Sequence, residues 1–417
     1  MGFLSSQRKF LENRKSNKKI FLTAFDKRIG VVIAANFISV AARMSLVTFL
    51  GIYFVREAHI GLPLVGVAFL LENVSRGMLA PFFGALSDRV GRRPLLLVSS
   101  LATAAVLPCF LLVQGPVSLI AWSLALGVTG AVNMPVAGAL LLDLAPPERR
   151  QAVLAANYTG MSVAYTLGVM PAGFAAEQGY GLLASLSCAG YLCVALLYAL
   201  ALRGALPLER PRGEENFLAA TFSVFRDRVF LGFALLGFVF PFSMGLVVTV
   251  SPLYAIDLGL GQGYIGLVLG GNSIIVALLA VPVAARMEAA GPFRQLGAAA
   301  LIVSAAHFLY SYASHPAAAL LAGTVVFSFA ELIFSSAMPT AVARLAPPGR
   351  RGAYQGGWTL IASLSMGSAL VITGLLRERA GWQGAWWVYA VLLLAAAVGW
   401  FCFRKTFLAL SERRQRA

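Results

Sequence analysis

Four charged side chains stand deep in apolar sequence. Arg43, Glu72, Arg76 and Glu331 each have long stretches of hydrophobic residues on both sides. An Arg or Asp at the centre of a bilayer costs roughly 2.5–3.5 kcal/mol on insertion scales, and Glu is similar. Such residues face a protein interior or a wet cavity, pair with one another, and mark pathways. Glu72 and Arg76 are four apart, so on a helix they share a face and can pair. That pair reads equally as a structural and as a functional one. Arg43, with Asn36 seven residues before it on the same face, could share Glu72 across two closely packed helices. Glu331 has no cation in its own apolar stretch until Arg344. Thr324, Ser328, Glu331 and Ser335 recur at helical spacing and form one polar stripe, as a cavity wall would. A carboxyl without a fixed cation can take up and give back a proton, which makes Glu331 a candidate for proton coupling; Glu72, the other carboxyl deep in a span, is the second. The plainer reading of Glu331 is a neutral side chain hydrogen-bonded to a neighbour.

Further polar and aromatic residues share helical faces. Trp122, Thr129 and Asn133 form one set, and Gln355, Trp358 and Ser365 another. Phe238 and Phe242 flank Pro241, while Asn157, Tyr158 and Asn272 stand in other apolar stretches. With Arg43, Arg76, Asn36 and Ser328 these are the candidates for a substrate cavity. Aromatic residues in membrane helices also serve as packing.

The elements that must position these groups follow from composition. Of 417 residues 59% are hydrophobic and 12% charged, far from the near-half apolar and quarter charged make-up of soluble proteins. A water-soluble enzyme is excluded. Apolar stretches long enough to span a bilayer lie at 30–55, 62–86, 95–113, 117–142, 152–176, 181–202, 229–256, 263–285, 296–314, 317–342, 352–376 and 383–403. The expected fold class is therefore all-α integral membrane, with 12 transmembrane helices. The net charge of +16 then reads as topology. With both termini in the cytoplasm, cytoplasmic segments hold 28 of the 33 Lys and Arg, outer loops hold 3, and Arg43 and Arg76 remain within spans. That asymmetry follows the positive-inside rule and removes a nucleic-acid reading. The polar arm 1–29 carries eight of these cations, and part of it could lie on the membrane as an amphipathic helix. Cys109, Cys188, Cys193 and Cys402 sit in apolar stretches as small apolar residues. His59, His307 and His315 make no metal cluster. No metal or other cofactor is expected.

The two halves repeat. Leu144-Ala145-Pro146-Pro147-Glu148-Arg149-Arg150 returns 201 residues later as Leu345-Ala346-Pro347-Pro348-Gly349-Arg350-Arg351. Gly66 and Gly91 return as Gly266 and Gly291, and Tyr53 as Tyr254. The expected organisation is a cytoplasmic arm 1–29, a six-helix bundle 30–202, a cytoplasmic linker 203–228, a second six-helix bundle 229–403 and a cytoplasmic tail 404–417. Duplicated six-helix halves around a central site are a recurrent transporter plan.

Between the second and third spans stands Gly84-Ala85-Leu86-Ser87-Asp88-Arg89-Val90-Gly91-Arg92-Arg93-Pro94. Gly84 permits close helix approach, Gly91 a tight turn, and the arginines mark the cytoplasmic side. The stretch closely resembles the G-x-L-x-D-R-x-G-R-R/K signature of the major facilitator superfamily, and with the spans and the repeat the resemblance covers residues 30–403. It implies two pseudo-symmetric six-helix bundles and a conformational latch built from Gly84, Asp88, Arg89, Gly91, Arg92 and Arg93 with Asp143 and Arg150. In that latch Asp88 would meet the start of the eleventh helix, and Arg92 would meet Asp143. The second-half copy is degenerate, with Glu288 in place of Asp88 and Ala284 in place of Gly84. The family also places the third, sixth, ninth and twelfth helices outside the cavity, which makes His307 structural. The drug/proton antiporter branch carries G-P-x-x-G-G on its fifth helix. Here Gly168-Val169-Met170-Pro171-Ala172-Gly173 has the residues with different spacing, a partial match.

The resemblance implies a secondary transporter in the cell (inner or plasma) membrane, a monomer in the lipid bilayer with a small-molecule substrate and protons as coupling ion. Efflux of lipophilic, drug-like compounds is one expectation. A carrier of an organic anion or zwitterionic metabolite recognised by Arg43 and Arg76 is a second. A non-transporting sensor or scaffold with this fold is a third. No nucleophile–base pair or phosphate loop is readable, and no enzymatic activity is expected.

Overall fold

A computed structural model of the chain describes residues 27–146, 149–201, 222–287, 290–312, 314–348 and 350–416. Nearly all of the arm, most of the linker and Glu288 lie outside these residues, as does the side chain of Ala284. A helix stands at each of the twelve expected places. We number them α1 (Lys27–Glu57), α2 (Leu62–Val90), α3 (Arg92–Leu112), α4 (Pro116–Leu144), α5 (Arg150–Gln178), α6 (Tyr180–Ala201), α7 (Arg228–Asp257), α8 (Gln262–Met287), α9 (Pro292–Tyr310), α10 (Pro316–Leu345), α11 (351–380) and α12 (382–416). Nine continuous helical segments among the described residues are long and apolar enough to cross a membrane; one of them joins α11 and α12. Those two meet at Gly381, whose φ of 66° is the left-handed conformation that glycine adopts freely.

The helices are not ideal rods. The last turn of α1, Tyr53–Glu57, is π-helical, and α7 has a π-helical turn at Leu246–Val250. α3 ends in a 3-10 segment, Leu107–Leu112, with Pro108 in its first turn, and α4 breaks between Gly130 and Asn133. Prolines 81, 171, 282 and 339 lie inside helices, where neighbouring helices and local adjustments satisfy the freed backbone groups. The molecule's outer surface is apolar: Val117 and Leu235 are 82% and 75% exposed. Faces of this kind suit lipid rather than water.

Repeat partners occupy equivalent places. Gly91 and Gly291 both have positive φ, 96° and 70°, at the starts of α3 and α9. Gly66 brings α2 against α11, and a methyl group on it would lie 2.5 Å from the Val371 nitrogen. Gly266 brings α8 against α5, and a methyl group there would lie 2.7 Å from the Met170 carbonyl oxygen. The seam between the halves is thus built twice from backbone-on-backbone contact.

Helical structure and contacts run across two of the expected boundaries. Within the expected tail, α12 continues as helix through 404–416. Arg414 near its end donates to Asp227 at 2.7 and 2.9 Å and to the Leu345 carbonyl at 3.0 Å. Asp227 caps the first turn of α7 through the Val229 and Phe230 amides and accepts the Tyr354 hydroxyl at 2.5 Å. The ends of α7, α10, α11 and α12 are therefore tied together, and the second half begins inside the expected linker. Partial burial raises the Asp227 carboxyl, but hydrogen bonds from Arg414 and Tyr354 outweigh it and hold it down at about 2.

Candidate functional site

The four intramembrane charges form two centres. In the first half, α1 supplies Arg43 and α2 supplies Glu72 and Arg76. Arg43 Nη2 donates to Glu72 Oε1, and Arg76 Nε lies 3.3 Å from the same oxygen. The i, i+4 spacing and the shared carboxylate match the reading of a pair with Arg43 added from the neighbouring helix. Arg76 Nη2 also donates to Asn73 Oδ1 at 2.7 Å. Tyr191 of α6 stands beside Arg43. Glu72 is buried between two guanidinium groups, an arrangement unlike that of a carboxyl free to exchange protons.

Glu331 stands apart. Asn272 of α8 donates to its Oε2 at 3.1 Å, and Ser328 donates to Asn272 Oδ1 at 2.6 Å. Among the described residues no ion pair involves Glu331. Tyr158 and Tyr165, from α5 in the other half, lie close enough to feel its charge, Tyr158 beside Ser335 and Tyr165 beside Thr48. Tyr158 is 56% exposed and Glu331 is half-buried.

The remaining cavity candidates separate into two groups. Asn36 donates to Asn157 at 2.8 Å, and Asn133 donates to Ser39 at 2.9 Å, joining α1 to α5 and α4. Thr129 turns back on its own helix, to the Leu126 carbonyl. Trp122 is packed against Phe54 and Phe110 and donates to the Val106 carbonyl at 2.9 Å. Trp358 is buried against Gly237 and Phe233, and Gln355 donates to the Pro339 carbonyl at 2.8 Å. Phe238 stacks on Phe242, which meets Tyr389 edge-on. The rings of Trp122, Trp358 and Phe242 each fill a contact between helices in this conformation. His307 is fully buried; its Nδ1 donates to the Val303 carbonyl at 2.8 Å and its Nε2 meets the Ser243 hydroxyl at 3.2 Å.

In the latch loop, Arg92 binds Asp88 at 2.6 Å and Asp143 at 2.9 Å, and also donates to Ser87. Arg93 caps the end of α6 through the Tyr198 and Ala199 carbonyls. Gly84 faces Pro135 of α4, Gly91 makes the turn, and Arg89 and Arg150 are exposed. Among the described residues the ion pair shown for Asp88 is with Arg92 of its own half, and none joins it to the start of α11 in this conformation.

At the opposite end, away from the chain termini, polar contacts do join the halves. Arg56 pairs with Asp257, Glu177 accepts the Gly263 amide at 2.8 Å, and Tyr180 donates to Gln262 at 3.1 Å. Asp257 also takes Arg377 at 2.5 Å and Trp382 Nε1 at 2.8 Å. Sequence reading missed this cluster although its signal was present, since Arg56 and Asp257 are repeat partners 201 residues apart. Tyr191, Tyr165 and the Asp227 clamp carried no comparable signal.

Comparison with known proteins places these centres in context. The family model described as Major Facilitator Superfamily matches residues 32–264 and 233–415. A Na(+), Li(+), K(+)/H(+) antiporter of Planococcus maritimus is 26% identical over 402 residues, covering 88% of this chain and 92% of the relative. The class C tetracycline resistance protein of Escherichia coli is 35% identical over 138 residues, 32% of each chain. The solved nucleoside transporter NupG superposes with a TM-score of 0.73 at 13% identity, covering 90% of this chain and 99% of that one.

Proposed function

The chain belongs to the major facilitator superfamily, and on that premise we propose that it exports a small lipophilic or drug-like solute in exchange for protons. It is a multi-pass membrane transporter by fold. In our reading both termini are cytoplasmic, twelve helices cross the membrane, and residues 30–202 rock against 229–403. The contacts at the far end and the separation of Asp88 from α11 then correspond to a state open to the cytoplasm.

One observation carries the proton assignment. Among the described residues Glu331 is the intramembrane carboxyl without a cation partner, and it accepts from the Asn272 amide and is faced by tyrosines of the opposite half. A carboxyl so placed can lose its proton when the cavity is wet and regain it before a solute leaves. Relatives described as a cation/proton antiporter and a tetracycline resistance protein support exchange and efflux.

The same oxygen-rich site, Glu331 with Asn272 and Ser328, also suits a monovalent metal cation competing with the proton, in keeping with the antiporter relative. Carriage of an organic anion or zwitterion is favoured instead by Arg76, whose side chain is 32% exposed.

Reconstitution in liposomes with an imposed pH gradient tests the proposal, with drug-like cations, Na+ and K+ as separate cargo arms. Gradient-driven movement of any of these is expected for the wild type and its loss for Glu331→Gln. A Glu331→Gln variant that still couples cargo to the gradient would overturn the proton assignment.

A further inference from the structure

The α1–α2 centre is unbalanced in charge. Two guanidinium groups share one carboxylate, and among the described residues no other acid pairs with either. Arg43 Nη1 is buried with no hydrogen-bond partner, and Arg76 Nε, buried likewise, has only its 3.3 Å ion-pair contact with Glu72 and no well-formed hydrogen bond. The neighbouring Asn73 and Tyr191 are uncharged side chains and add no counter-charge. Burying a net positive charge with unmet donors is costly. Gly130 of α4 borders both arginines: a methyl group on it would lie 3.3 Å from Arg43 Nη1 and 3.4 Å from Arg76 Cδ. The glycine thus lets the α4 backbone pack close to both guanidinium side chains, and a side chain there would crowd them. Arg76 gives access, since its side chain is partly exposed while that of Glu72 is enclosed.

We infer that this centre binds one small monovalent anionic group, a halide or a carboxylate, at Arg43 and Arg76 beside Gly130. Arginine suits the task because its planar fork donates several hydrogen bonds at once and stays charged. Two sources share the chemistry: an inorganic anion from solution, and the acidic group of a transported solute. Either would neutralise the excess charge and satisfy the unmet donors. The site is separate from Glu331; it rests on the reading of Arg76 as an anion contact and deepens it, because it names the class of anion and the two arginines that share it.

The test melts the purified full-length protein in detergent at constant ionic strength, replacing sulfate by chloride or by acetate. Arg76→Gln run in parallel subtracts the general effect of each salt. A saturable rise of about 3 °C in the wild type, absent in Arg76→Gln and partly restored in Arg76→Lys, is expected. A response to chloride identifies the inorganic source, and a response to acetate alone identifies a solute's carboxylate. Identical responses of wild type and Arg76→Gln to both anions overturn the inference. If Arg76→Gln does not fold, Gly130→Ala, which presses a methyl group against both arginines, must lose the saturable rise, and its retention overturns the inference. No proton gradient is involved, so this result fails or holds separately from proton exchange.

Discussion

Arg56 and Asp257 occupy the same position in the two halves, 201 residues apart, and pair with each other at the far end of α1 and α7. Asp257 adds Arg377 and the Trp382 indole, which itself lies under the Arg377 guanidinium at 4.8 Å. One carboxylate thus gathers the ends of α1, α7, α11 and α12. The contact joins the two halves at that end, and any state in which they separate there must break it.

Asp257→Asn is expected to shift the molecule toward the state open at the far end. Arg56 is half exposed, so its pair is worth well under the buried value, and the cluster together about 1 kcal/mol. That corresponds to a shift of about fivefold in the ratio of states. Distance measurements between spin labels on the loops after α1 and α7 read it directly. Unchanged distances would show that the seam, not the ion cluster, holds the closure.

The seam itself predicts a symmetric pair of effects. Gly66→Ala and Gly266→Ala each place a methyl group within 2.7 Å of backbone across the interface. Overpacking of this kind costs about 1–3 kcal/mol and is paid only in the state closed at the far end. Both variants should lose transport while keeping their helical content. Gly271→Ala, with nothing within 4 Å, is the control and should transport normally.

Glu72→Gln should be far more destabilising than Glu331→Gln. Removing Glu72's charge leaves two buried guanidinium groups without an ionic partner, a loss of about 3 kcal/mol. Glu331→Gln keeps a group that can still meet the Asn272 amide. Melting temperatures of the two variants side by side check the order; equal losses would mean that Glu72 does not carry the arginines.

The Asp227 clamp predicts a pH effect. Its carboxyl is held at about 2 in the folded protein against an ordinary value of 3.8. The stabilisation is therefore complete above about pH 4 and is lost as pH falls toward 2. Asp227→Asn should melt lower than wild type at pH 6, with the gap narrowing between pH 4 and pH 2.5. A gap of constant size across that range would show that the charge of Asp227 contributes nothing.

The spans, the repeat and the latch loop were legible because each is local or periodic. Hydrophobicity sustained over twenty residues, and a fixed offset between similar words such as Leu144–Arg150 and Leu345–Arg351, need no knowledge of packing. The pairing of Glu72 with Arg76 was legible for the same reason, since i, i+4 neighbours share a helical face. Spacing alone does not assign the aromatic candidates, because Trp122 and Trp358 have the same spacing whether they fill a seam or line a cavity.

Sequence alone thus determined that this is a duplicated, helical membrane protein with few intramembrane charges, because the bilayer makes each such residue costly and each span long. Tertiary structure decided which charges are satisfied. Whether Glu72 belongs to Arg43 or Glu331 stands alone depends on which helices touch, over separations of tens of residues that no local pattern encodes. The closeness of α2 to α11 and of α5 to α8, set by backbone contact at Gly66 and Gly266, places Asp257 against Arg56 and leaves Asp88 with Arg92.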